Sequence, residues 1–183
     1  MYQSPELIAL LLIVGLIAGI INTLAGGGSN LTLPALMLMG LPADVANATN
    51  RVGVLMQSVT AAKDFDSHGQ LARQDLFGIL KPTLLGSLLG AVIAAFAPSE
   101  WLKPALLLAM VSMAFIILVR PNVVAPPLGT QALSMKEAPY ARWTLFLAGV
   151  YGGFVQAGGG FVLIAGLVGQ MRYDLLRGNA LKL

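Results

Sequence analysis

The chain has 183 residues, of which 57% are hydrophobic and 10% charged; its mean hydropathy is +0.80 and its formal net charge +3. Soluble globular domains carry about 25% charged residues, so this composition belongs to a protein embedded in a lipid bilayer. The lack of Cys excludes disulfides and thiolate metal sites, the single His68 offers no His cluster, and 11 scattered Lys and Arg form no basic run for nucleic acid. No cofactor, metal or nucleic-acid partner is therefore expected.

The 37 residues between Glu6 and Asp44 carry no charge. One straight helix of that length would reach about 55 Å, against a hydrocarbon core of about 30 Å. A break is expected at Gly26-Gly27-Gly28-Ser29-Asn30, giving a first helix near 6–24 and a shorter segment near 30–42. No Lys or Arg precedes Arg51, so the basic start of a secretory signal is missing and the first helix is expected to persist in the mature protein. A third helix is expected near 45–62 with Asp44 as its cap, and a fourth near 75–97 with Asp75 as cap and Pro98 as stop. A fifth runs near 100–119 and halts at Arg120-Pro121-Asn122. The polar, Pro-rich stretch RPNVVAPPLGTQALSMKEAPYAR then leads to a sixth helix near 142–157. Lys63, Asp64, Asp66, His68 and Arg73 read as a solvated loop; Lys63, Arg73 and Lys81, with Arg120, Lys136 and Arg142 after the fifth helix, orient both basic loops toward the cytoplasm.

The chain also resembles itself. GLIAGIINTLAGGGSN at 15–30 lies over GVYGGFVQAGGGFV at 149–162, matching Gly15 with Gly149, Gly19 with Gly153 and Asn22 with Gln156. After one two-residue gap Gly28 falls on Gly160, and the same offset carries Asn47 onto Asn179 and Ala48 onto Ala180. Residues 1–119 thus read as a first transmembrane repeat, 120–141 as a cytoplasmic connection, and 142–183 as the start of a second, incomplete repeat. Five crossings in the first unit imply that the second is inverted, an arrangement found in secondary transporters. The expected fold is all-α and polytopic, with Gly-broken helices.

Unwound backbone survives at membrane depth only where it is buried in protein or lines a cavity, and the helix N-termini it exposes suit a small oxyanion. Arg51 is too close to Lys63 to lie outside a spanning helix, so it needs a partner or water. The candidate substrate-binding residues are Asn22, Thr23, Gly26, Gly27, Gly28, Ser29, Asn30, Asn47, Asn50 and Arg51. Gln156, Gly158, Gly159, Gly160, Asn179 and Lys182 are their second-repeat counterparts. The competing readings are structural: the glycines serve helix packing, the Asn side chains bond across helices, and Arg51 snorkels to the interface beside Asp44. No nucleophile with a base, and no acid within a helix interior, suggests an enzyme or a proton relay.

G-x-x-A-G-x-I-N-x-x-A-G-G-G at Gly15 to Gly28, LTLPALMLMGLP at 31–42, the following VANATNR, and GGFVQAGGGF with GNALK in the second half resemble the sulfite exporter TauE/SafE family, also called the 4-toluene sulfonate uptake permease family. The resemblance implies a multi-pass transporter of the bacterial inner membrane, of roughly 250 residues in two related halves, with sulfite or an organosulfonate as substrate. It implies the lipid bilayer and a small anion as partners, and a homo-oligomer as one way to complete the second half. The alternative is a structural or partner-binding membrane subunit without transport of its own.

Overall fold

A computed structural model describes residues 4–119 and 131–183; Arg120 and the Pro-rich first half of the connection lie outside the described residues. The described residues form helices α1 (Pro5–Ala25), α2 (Ser29–Leu38), α3 (Ala43–Ser67), α4 (Arg73–Phe96), α5 (Ser99–Val119), α6 (Ala141–Phe154), α7 (Gly159–Met171) and α8 (Leu175–Lys182), and no strand. The protein is all-α. The Pro5–Leu24 part of α1 and the whole of α4 are each long and apolar enough to cross a membrane.

Helix ends follow local chemistry. The Ser4 hydroxyl accepts the Leu7 N–H at 3.4 Å, and Pro5, which has no N–H to lose, fills the first turn of α1. At the other end Gly26 takes a left-handed φ of 86° and donates its N–H to the Ile21 and Asn22 carbonyls, closing the helix. Two expected caps are corrected. Pro42, not Asp44, occupies the cap position of α3, so the Asp44 carboxylate sits in the first turn and no side chain caps the helix. The start of α4 at Arg73 puts Asp75 inside the first turn, where its Oδ2 accepts the Tyr173 hydroxyl at 2.5 Å.

Two boundaries also move. With no Pro or Gly between residue 62 and Gly69, α3 continues to Ser67, so Lys63, Asp64 and Asp66 belong to its last two turns rather than to a loop. There Asp66 accepts two bonds from Arg73, at 2.8 and 2.6 Å, which ties α3 to α4 and holds the Asp66 carboxyl below its ordinary pKa. The described part of the connection is packed: Met135 and Ala138 are buried in a cluster with Ile79, Leu145, Leu167, Met171 and Tyr173. A second cluster joins Leu33 and Leu36 of α2 to Ala43 and Ala46 of α3 and to Val155 and Ala157 beyond α6.

The closest seam runs between α4 and α6. Side chains added at Gly86 or Gly90 would overlap the backbone of Phe146 or Val150, and at Gly149 or Gly153 the backbone of Thr83 or Ser87. Small residues four apart on both helices let the backbones touch, which is how helices gain contact where lipid removes the hydrophobic drive. Outside, large apolar side chains stand exposed along α1, α3 and α4, Leu12, Leu55 and Phe77 among them, whereas Asn22, Ser29, Asn47, Asn50 and Asn179 are buried. This inverts the soluble pattern and fits a lipid surround.

Candidate functional site

Two interruptions meet at the centre. The first is Gly26–Gly28 between α1 and α2; the second runs from Val155 to Gly158 between α6 and α7, where Gln156 and Gly158 take φ of 65° and 72°. Gly26 and Gly160 press backbone to backbone, so a Cβ on either would lie inside the other's main chain. Positive φ at Gln156, a non-glycine, is backbone strain held by its surroundings, such as the Tyr151 hydroxyl donating to the Ala157 carbonyl at 2.8 Å.

Beside this contact lies a cavity of about 310 Å³ walled by α1, α3, α4, α6 and α7 and by the end of α8. Of the expected residues, Asn22, Gly26, Ser29, Arg51, Gln156, Gly159, Gly160 and Lys182 line it. Its charged side chains are two cations, and no Asp or Glu is among its described lining residues. The Arg51 guanidinium turns inward, donating to the carbonyls of Gly153 and Phe154. The Lys182 ammonium donates to the carbonyls of Asn22 and Thr23 and, at 2.9 Å, to Asn179 Oδ1. Both cations thus sit at helix carboxyl ends, where the carbonyls gather partial negative charge.

The other expected residues stand behind the wall. Asn47 Nδ2 donates to the Phe154 carbonyl at 3.4 Å, and Asn179 Nδ2 to the Leu24 carbonyl. Asn50 donates to the Ser29 hydroxyl at 2.9 Å and accepts from Thr32 at 2.5 Å. Thr23 donates to the Gly19 carbonyl and accepts from Gln57. Gly27 lies under the Phe161 ring and Gly28 against the Ala18 carbonyl, positions where a side chain would collide. Gly158 precedes α7, and the buried Asn30 Oδ1 has no partner among the described residues. A second cavity of about 190 Å³ shares Asn22 and Ser29 with the first and adds Gly28, Thr32, Asn50 and Gln57.

Sequence reasoning missed Gln57, Ser58, Thr83 and Ser87. Gln57 bonds Asn22 at 2.9 Å and the Gly19 carbonyl at 2.6 Å, and the three hydroxyl residues line the main cavity. The signal was helical spacing: 47, 50, 51, 54, 57 and 58 trace one face of α3, and Thr83, Gly86, Ser87 and Gly90 one face of α4.

An all-α protein with apolar outer faces, in which the α1–α2 and α6–α7 turns meet beside a cation-lined cavity, has the build of a membrane protein. The profile of the Sulfite exporter TauE/SafE family matches residues 11–183, and the chain belongs to that family. It is 27% identical over 178 residues to the Probable membrane transporter protein ORF9 of Sinorhizobium sp, covering 96% of this chain and 66% of that protein. It is 30% identical over 165 residues to the Probable membrane transporter protein YfcA of Escherichia coli (strain K12), covering 88% of this chain and 60% of that one. A Haemophilus influenzae protein also named Probable membrane transporter protein is 26% identical over 96% of this chain and 68% of its own length. The chain therefore spans about two thirds or less of ORF9 and YfcA. No solved structure matches it.

Proposed function

We propose that the chain belongs to a bacterial inner-membrane secondary transporter for a small oxyanion, with sulfite or an organosulfonate as the substrate. The observation that carries this reading is the cavity itself: Arg51 and Lys182 face it together and no Asp or Glu among its described residues offsets them. A half-buried cationic site of this size favours an anion by Coulomb attraction and discriminates by size. The polytopic, inverted arrangement is supported by the left-handed Gly26 and Gly158, which occupy corresponding repeat positions. It is supported further by the two interruptions packing face to face. Alternating access would then rock one helix group against the other around this contact.

The test is binding of labelled sulfite to the chain in lipid nanodiscs. Arg51→Ala is expected to keep its helical circular dichroism and lose at least tenfold in affinity. Unchanged affinity moves the site elsewhere. A second reading, a structural subunit, draws on both cations being engaged by carbonyls. It predicts that no oxyanion binds and that Asn47→Leu and Asn50→Leu change only assembly, as read by size-exclusion chromatography.

A further inference from the structure

The two cations of the cavity are not equivalent, and the difference is one of donor count. The partners cross the chain: Asn47 and Arg51 of α3 hold the end of α6, more than 100 residues away, and Asn179 and Lys182 of α8 hold the end of α1. Each helix end therefore receives one amide and one cation. The amides stay out of the cavity, Asn47 and Asn179 being 3% and 6% exposed, whereas both cations line it.

An arginine has five N–H donors, and Arg51 spends only its NH2 group, on the Gly153 and Phe154 carbonyls. It can take an anion on its remaining donors without letting go. A lysine has three N–H donors, and all three of Lys182 are placed, on the Asn22 carbonyl, the Thr23 carbonyl and Asn179 Oδ1. It can take an anion only by giving up at least one of these three partners, two of which are carbonyls at the end of α1. An oxyanion presents a full negative charge where a carbonyl presents only a partial one, so the Coulomb attraction of the ammonium draws the exchange toward the anion.

We propose, resting on the anion reading above, that Lys182 is an exchanging clamp: anion binding pulls its ammonium off the carboxyl end of α1 and frees that end to move, while Arg51 keeps α6 fixed. Asn179 remains on the Leu24 carbonyl and limits the release to the last turn. Lys182 thus acts as a positioning residue as well as an anion contact, and α1 is the moving partner at the contact between Gly26 and Gly160.

The sequence allows a direct reading. Asn22-Thr23 is its only Asn-Thr pair, so carbonyl-13C Asn with 15N Thr labels a single resonance, that of the Asn22 carbonyl. Carbonyl-13C Gly with 15N Phe labels two pairs, Gly153-Phe154 and Gly160-Phe161, which Phe161→Leu separates. Sodium sulfite is titrated into the wild-type chain in nanodiscs, with calorimetry in parallel. The expected result is an upfield shift of the Asn22 carbonyl with the calorimetric midpoint and a stationary Gly153 carbonyl. In Lys182→Met the Asn22 resonance starts upfield and ignores sulfite; in Lys182→Arg, which has spare donors, sulfite binds and the resonance stays. Calorimetric saturation with an unmoved Asn22 carbonyl overturns the clamp and leaves the anion reading standing. No heat with sulfite, methanesulfonate or sulfate removes the anion reading, and the clamp with it. The wild-type titration decides even if Lys182→Met does not fold.

Discussion

The glycine faces of α1 and α6 match in sequence and differ in surroundings. Gly15 and Gly19 correspond to Gly149 and Gly153, each pair four apart. On α6 that face is filled by α4, whose own Gly86 and Gly90 bring the two backbones together. On α1 nothing among the described residues lies within 4 Å of where a Cβ would stand at either glycine. The spacing makes a helix capable of close approach; the partner decides whether the capability is used.

That comparison breaks most sharply at the seam. Gly149→Ala drives a methyl into the Thr83 and Ser87 backbone and is expected to cost about 1–3 kcal/mol or more, read as lost monodisperse protein. Gly15→Ala meets open space and should stabilise by about 0.5–1 kcal/mol through helix propensity. If both destabilise alike in thermal melts, the α1 face is as tightly covered as that of α6.

Next comes Gly26→Ala against Gly40→Ala. Both glycines have left-handed φ, 86° and 90°, so each should lose about 1–2 kcal/mol from strain. Only Gly26 faces another backbone, at Gly160, so its excess cost measures the contact between the interruptions. Equal melting temperatures for the two variants would mean that this contact contributes nothing. Tyr151→Phe removes the bond to the buried Ala157 carbonyl and should cost about 1 kcal/mol, measured the same way.

The smallest effect lies at the solvated end of α3. Arg73 lowers the pKa of Asp66, so the native state favours the carboxylate, and the bridge's contribution is present at neutral pH. It should be lost as pH falls below the ordinary Asp value through the lowered one. Asp66→Asn should flatten that part of the melting profile between pH 7 and 3; an unchanged profile would show that solvent screens the bridge away.

The residues themselves made the membrane class legible, because an uncharged run of 37 residues has no soluble solution. They also marked the end of α1 at Gly26, since a left-handed turn is a local property, whereas α6 ends at Phe154, short of the expected 157. Half of the candidate residues fall on the cavity because Asn, Ser and Arg at membrane depth need partners wherever they are. The chain hid which partner each would find. Asn47 and Asn179 read as ligand contacts or as bonds across helices, and the structure gives each a carbonyl partner at a helix end more than 100 residues away. Thr83 and Ser87 join the cavity wall because α6 lies against them. Composition and local backbone preference are summed along the chain and can be read from it. The cavity, its two cations and the seam behind them depend on which helices pack together, and that is decided by complementarity between distant faces, which only the tertiary structure brings into contact.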